Sequence, residues 1–421
     1  MRNLIVAILF LVPAAAFAGG YVVPNVNARD LSMSGAATAA QDSAAATYQN
    51  PAALSKLDGF NVSADLSLID IRSTWTDSFG VYGATAPVTM TPKAAFPPAL
   101  YAAYGLTLPN SMRLGVGAGL TAPGGGYVFW PGDWVGNSEI ISVDRKILGM
   151  YLTGGLQVLP QLRVGGGLVY YRTTEHLVQG LNFLSQRGQI ELGTAGGAVS
   201  YDLSAEATPV KDLPLTFAVD YKHQAVQHLS GHAHGEDVPL ALQPSLLDQE
   251  VTHTLTYPNQ LNVAAAYRLP LRTPWNEGAA LLLAIDWTWE RQHVYKDDTF
   301  IGDRGVSVSV PRDFKNDDTF RFGAEYDGII PKLRVRAGIE RDLGPQRPET
   351  ASPSLPTSDT TAISLGVGYE VARNLEINAG YFHAFYDTVT TAGTEVFQGT
   401  YDTRTNIYAL SLTWKMAPPK P

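Results

Sequence analysis

Cysteine is absent from this 421-residue chain. Its absence excludes a disulfide framework and a thiolate metal site. Charge is sparse too: Asp, Glu, Lys and Arg make up 16% of the residues, against roughly 25% in an average soluble domain. The formal net charge is -9, so there is no basic stripe for nucleic acid. After residue 18 no apolar run reaches the roughly eighteen residues of a spanning helix. Neither G-x-S-x-G nor H-E-x-x-H occurs. The clusters Gly124 to Gly126 and Gly165 to Gly167 are not dinucleotide fingerprints, because neither links a strand to a helix in a βαβ unit. His383 stands isolated, with no matching serine. No catalytic residue and no cofactor are expected.

What is present begins with "MRNLIVAILFLVPAAAFA". Arg2 precedes an apolar run, and Ala16-Phe17-Ala18 has the small-x-small form of a cleavage site. Residues 1–18 therefore read as a secretory signal peptide and Gly19 as the mature start. Residues 19–57 are rich in small side chains and carry no strand pattern. From 58 to 421 the pattern has a period of two. In "AISLGVGYEV" Ile363, Leu365, Val367 and Tyr369 share one face, and Ser364, Gly366, Gly368 and Glu370 the other. "LRVRAGIE", "TFRFGAEYD" and "LLLAIDWTWE" behave alike, so each segment has one greasy face.

Soluble sheets alternate as well, but these segments run near ten residues, the length of a tilted strand crossing a bilayer. Aromatics such as Trp287, Trp289, Tyr326, Tyr369, Tyr381 and Trp414 sit near segment ends, as in an interfacial girdle. Tight connections near 108, 160, 211, 330 and 372 alternate with long polar stretches near 73–93, 122–143, 177–194, 235–250, 297–317, 343–359 and 388–402. Short periplasmic turns and long outer loops have this arrangement. Fourteen strands are expected, starting near 59, 94, 112, 145, 162, 195, 214, 251, 278, 317, 332, 360, 374 and 403. The fold class is all-β: a transmembrane antiparallel barrel of about fourteen strands in the outer membrane. A barrel of that size encloses space its own side chains do not fill. The 19–57 segment is expected to plug it as a hatch of short helices, bent at Asn50-Pro51 because Pro51 lacks an N–H and restricts Asn50.

Several stretches, in order, resemble the FadL family of outer-membrane transporters of long-chain fatty acids and other hydrophobic compounds. They are "NARDLSMSGAATAAQDSAAATYQNPAAL", with Asn50, Pro51 and Ala52 as the hatch motif; "MRLGVGAGLTAPGGG"; "YPNQLNVAAAYRL"; "LAIDWTWERQ"; "DFKNDDTFRFGAEY"; and "LRVRAGIERDLGPQRPETASPSLPTSDTTAISLGVGYEV". The resemblance spans essentially the whole mature chain. It implies a fourteen-stranded barrel closed by an N-terminal hatch, without a continuous water pore. Cargo would be captured outside, enter an apolar cavity and leave sideways at a kink in the third strand. Gly115, Gly117 and Gly119 are the candidates for that kink, since glycine weakens a strand and permits bends; close packing on the hatch is the other reading of them. The family positions that hold a carboxylate correspond here to Arg172 and to Arg312 and Lys315, with Arg312 where the family carries an acid.

The expected partners are hydrophobic small molecules, fatty acids or aromatic hydrocarbons, together with outer-membrane lipid and detergent. A monomer is expected, and no nucleic acid. An aromatic-hydrocarbon transporter of the same fold, or a general diffusion porin, is the alternative. His228, His232 and His234 with Glu236 have spacing compatible with zinc or copper, but read as a solvated strand end. The runs "KDDTFIGD" and "FKNDD" lack an EF-hand pattern. No metal is expected. The last strand, "TNIYALSLTW", is followed by the tail "KMAPPKP" where family chains commonly stop on an aromatic.

Overall fold

The computed structural model describes residues 27–416 except 110, 184, 185, 211, 272, 274–276, 305, 306, 394 and 395. The expected signal peptide, residues 19–26 of the expected hatch and the tail after Met416 lie outside the described residues.

Among the described residues fourteen strands form one antiparallel ring. They are β1 (Gly59–Thr76), β2 (Pro98–Thr107), β3 (Arg113–Phe129), β4 (Ser142–Leu159), β5 (Leu162–Asn182) and β6 (Arg187–Ala207). β7 comes in two stretches, Leu215–Lys222 and Ala225–Glu236, as does β8, Asp248–Tyr257 and Gln260–Pro270. β9 (Ala280–Glu290), β10 (Asp317–Tyr326), β11 (Leu333–Leu343), β12 (Thr360–Ala372), β13 (Leu375–Tyr386) and β14 (Thr400–Met416) follow. Each pairs with its sequence neighbours. β14 pairs with β1 from Phe60↔Met416 to Thr76↔Thr400, which closes the ring.

The period-two faces explain why the ring is stable in lipid. Leu365, Val367, Tyr408, Leu410 and Ile285 are exposed on the outer face, while their neighbours Ser364, Ile407, Ala409 and Asp286 are buried inside. A closed ring satisfies its backbone groups internally, as hydrocarbon demands.

Two expected boundaries move. The second strand was expected from Ala94; instead Ala94–Ala95 pairs separately with Asp70 and Ile69 of β1, and β2 begins at Pro98. The stretch 177–194 is not a loop. β5 runs to Asn182 and β6 starts at Arg187, not near Ala195, with only 183–186 between them. Above the apolar band the alternation inverts: Leu177, Ile190 and Leu192 point inward while His176, Glu191 and Gly193 point outward. A strand standing in water has polar residues outside, so it reads as a polar stretch although it is strand throughout. Likewise part of 297–317 is a hairpin, Asp297–Gly302 paired with Ser307–Pro311.

Residues 27–57 lie inside the ring as four short turns of helix, Ala28–Leu31, Thr38–Ala40, Ala46–Gln49 and Pro51–Lys56. Asn27 caps the first, its Oδ1 accepting from the Asp30 N–H at 2.9 Å. Ala28, Ala36, Ala37, Ala44, Ala45, Ala46, Ala52 and Ala53 have no exposed surface. Small side chains let these turns lie close to the wall.

Candidate transport site

The inner segment meets the wall through side chains on one side and bare backbone on the other. Asn50 Nδ2 donates to the Thr38 carbonyl at 2.9 Å and to Glu206 at 3.0 Å, and the Ala52 N–H donates to Ser204 Oγ at 2.8 Å. Lys56 and Arg163 also reach Glu206, at 2.9 and 3.4 Å. Asn50 sits at φ -165°, ψ 83°, and its Oδ1 is buried without a hydrogen bond. Pro51 opens the next turn. A side chain at Gly155 or Gly165 would strike the Pro51 and Ala52 backbone. At the opposite rim Arg29 bonds Glu325 at 3.1 Å, and the Thr38 N–H bonds Asp286 at 3.1 Å.

Gly115 and Gly117 serve the same close fit, and Gly119 makes room for the Tyr101 ring of β2. A Cβ at Gly115 would strike the Leu54 carbonyl, and one at Gly117 would strike Thr47. The ladder is unbroken at all three, with Gly115↔Gly155, Gly117↔Thr153 and Gly119↔Tyr151. The register shift in β3 lies further along, between Thr121 and Gly124, at Ala122-Pro123. There β3 loses β2, whose last pair is Ala99↔Thr121. From Thr121 to Val128 both faces are buried, so β3 bends into the lumen. Tyr257, on β8, donates to the Pro123 carbonyl at 3.1 Å. Proline has no N–H for the ladder, so the break falls where Pro123 stands rather than at the glycines.

Between this bend and the long-loop end lies a cavity of about 210 Å³. Ile140, Val143, Leu177, Ile190, Leu192 and Phe300 supply apolar walls, and Arg145, Asp298, Arg312 and Ser354 a charged end. Arg312 donates through Nε and Nη2 to Asp298 at 3.0 and 2.8 Å, and through Nη2 to Ser354 at 2.8 Å. Arg145 bonds Glu175, Tyr295 at 3.1 Å and Asp298 at 2.9 Å. His253 Nδ1 lies 2.8 Å from Glu175. All five charged or titratable groups are buried. Burial alone would raise the Asp298 carboxyl; Arg145 and Arg312 outweigh it and hold it at about 2. Arg312 Nη1 is buried without a hydrogen bond among the described residues.

Below the cavity Tyr48 of the inner segment packs edge-on against Tyr151. Tyr151 does the same against Tyr171, and Tyr171 tilts over Tyr257 with ring centroids 4.9 Å apart. An aromatic column thus joins the inner segment at Tyr48 to the bend in β3, which Tyr257 reaches through Pro123.

Of the three expected head-group cations only Arg312 lines the cavity. Arg172 shares the outward face of β5 with Leu168 and Tyr170. A one-residue step in a strand reverses the face, so its neighbours Tyr171 and Thr173 are the ones inside. Lys315 is exposed and lies 3.8 Å from Asp359. The residues missed from sequence were Arg145, Glu175, His253 and Asp298. Their signal is a charge at an inward position within an apolar-in stretch, as in Val143, Arg145 and Ile147.

A closed fourteen-stranded ring with greasy outer faces, a lumen blocked by an inner segment and a cavity at the long-loop end define an outer-membrane transport barrel. Residues 9–416 match the family described as outer membrane protein transport protein (OMPP1/FadL/TodX), and the chain belongs to that family. It is an outer-membrane protein with the fold of hydrophobic-compound transporters. Among solved structures, a Pseudomonas aeruginosa FadL homologue superposes with TM-score 0.80 at 17% identity, covering 94% of this chain and 99% of its own. The P. putida toluene transporter TodX gives 0.73 at 15%, covering 96% and 99%. The Ralstonia pickettii toluene transporter TbuX gives 0.64 at 17%, covering 93% and 100%. No curated protein sequence matches the chain.

Proposed function

We propose that this barrel takes up hydrophobic compounds with an acidic head, long-chain fatty acids foremost. Cargo is captured in the cavity at the outer end and leaves sideways through the wall where β3 parts from β2. The 27–57 segment acts as a hatch that prevents straight passage. The observation that carries the reading is Arg312: a buried guanidinium in an apolar-walled cavity with one nitrogen unsatisfied. An unmade hydrogen bond of this kind costs about 1–3 kcal/mol. A carboxylate set against Nη1 would make that bond and would itself escape burial without a cation.

The experiment compares oleate and toluene binding in wild type and Arg312→Gln. Oleate affinity should fall at least tenfold, with toluene unchanged and the barrel still heat-modifiable in gel electrophoresis. Equal oleate affinity in both proteins would sink the acid reading. It would favour a second one, neutral aromatic cargo, which the Tyr48–Tyr151–Tyr171–Tyr257 column supports. A hatch-filled lumen also predicts near silence in planar bilayers, where a diffusion porin gives large stable steps.

A further inference from the structure

We infer that the outer wall of β4 to β7 carries a binding site for a phosphate-bearing glycolipid of the surrounding outer leaflet, centred on Arg172. The site faces away from the cavity and does not rest on the identity of the cargo.

Strand register builds it. On the outer face the apolar band ends with Met150, Tyr170, Val199 and Val226, all exposed. The next outward rung is Leu148 on β4, Arg172 on β5, Gly197 on β6 and His228 on β7. The rung beyond is Lys146, Thr174, Ala195 and Ser230. Adjacent strands lie about 4.8 Å apart, so Arg172 and His228 flank β6 at about 10 Å. Between them β6 contributes only Gly197 and Ala195, and the Tyr170 phenol leans across Gly197 and places its hydroxyl between Arg172 and His228. The result is a shallow trough with polar walls, floored by Ala195 and the Tyr170 hydroxyl, which opens above into a depression of about 540 Å³ lined by Gly193, Ala195, Ser230 and His232 and by the carboxylates Glu175 and Glu250.

The charges have an order. Lys146, Arg172 and His228 occupy the two rungs nearest the apolar band, and Thr174 and Ser230 add hydroxyl donors beside them. The acids Asp144, Glu191, Asp248 and Glu250 lie one or two rungs further out, the last three facing His176, His234 and His232 across neighbouring strands. Lys146 is 3.4 Å from Asp144. Arg172 makes no hydrogen bond or ion pair with a described residue. An arginine one step outside a lipid-facing tyrosine stands at head-group depth, where its counter-charge comes from the membrane. A planar guanidinium suits two phosphate oxygens at once. The trough continues the lipid-facing surface of the barrel, so an acyl chain lying on Leu168 and Tyr170 delivers its head group to Arg172.

The test uses the full folded chain in neutral detergent and native mass spectrometry. The probe is diphosphorylated lipid A, with fully dephosphorylated lipid A beside it. Wild type should retain the phosphorylated form at least tenfold better. Arg172→Gln should lose that preference, and His228→Gln should weaken it, with both variants heat-modifiable like wild type. Equal retention of the two lipids by wild type would overturn the inference. So would undiminished preference in correctly folded Arg172→Gln. Inorganic phosphate bound as tightly as the phosphorylated lipid would assign the trough to soluble anions and overturn the lipid assignment.

Discussion

Asn50 donates to Glu206 at 3.0 Å across the gap between the inner segment and β6. The same carboxylate takes Lys56 of the segment and Arg163 of β5, so one wall residue holds the segment by two donors and is itself held by a neighbouring strand. Replacing Asn50 with Ala removes this bond and the one to Thr38, on the order of 1–3 kcal/mol in all. The ring should still close, because its ladder does not involve Asn50. The expected outcome is faster leakage of small solutes from proteoliposomes or slower uptake of hydrophobic cargo. Wild-type behaviour in both assays would show that the bend does not gate.

The bare-backbone side gives a sharper steric test. Gly165→Ala and Gly115→Ala place a methyl against the inner segment, an overpacking of about 1–3 kcal/mol. Gly132→Ala, with nothing within 4 Å of the new atom, is the control. Protease cleavage within 27–57 should rise for the first two and stay at the wild-type rate for the control.

The sign of the acid response follows from Asp298. Its carboxyl is held at about 2 in the folded protein, below the roughly 3.9 of an unfolded aspartate. A depressed pKa gives stability that is present above the unfolded value and lost as pH falls through the folded one. The Asp297–Pro311 hairpin should therefore resist proteolysis down to about pH 3 and open near pH 2. Asp298→Asn leaves Arg145 and Arg312 facing each other across a buried site, and should open it at neutral pH. Opening of the wild-type hairpin already at pH 5 would contradict this.

Tyr257→Phe frees the Pro123 carbonyl from across the lumen at a cost of about 1 kcal/mol. The bend in β3 should loosen, and a membrane-dissolved label should modify Ala122→Cys faster than in the parent. An unchanged labelling rate would show that the bend is fixed by β3 alone.

The outward faces of β9 to β14 were legible because in lipid a side chain's polarity reports its side. Ile363, Leu365 and Val367 could only face out. The upper halves of β5 and β6 were not legible, because water on the outside and an apolar cavity on the inside reverse the code. Arg172 was placed among the cargo ligands because family position specifies a rung and not a face. Arg312 came out inside because the hairpin before it continues the wall beside β8 and turns Asp298 and Arg312 toward the cavity. The kink was expected at glycines, whereas the register shift falls at Ala122-Pro123, since a missing donor interrupts a ladder that a missing side chain does not.

β5 and β6 each run for 21 residues. At about 3.3 Å per residue and a tilt near 40°, such a strand rises roughly 50 Å, against about 30 Å of hydrocarbon. The surplus stands out beyond the hydrocarbon as a chimney, whose inner wall carries Leu177, Ile190 and Leu192 of the cavity. On the proposed uptake, an oily solute entering the mouth exchanges the hydrated head-group layer for a protein wall.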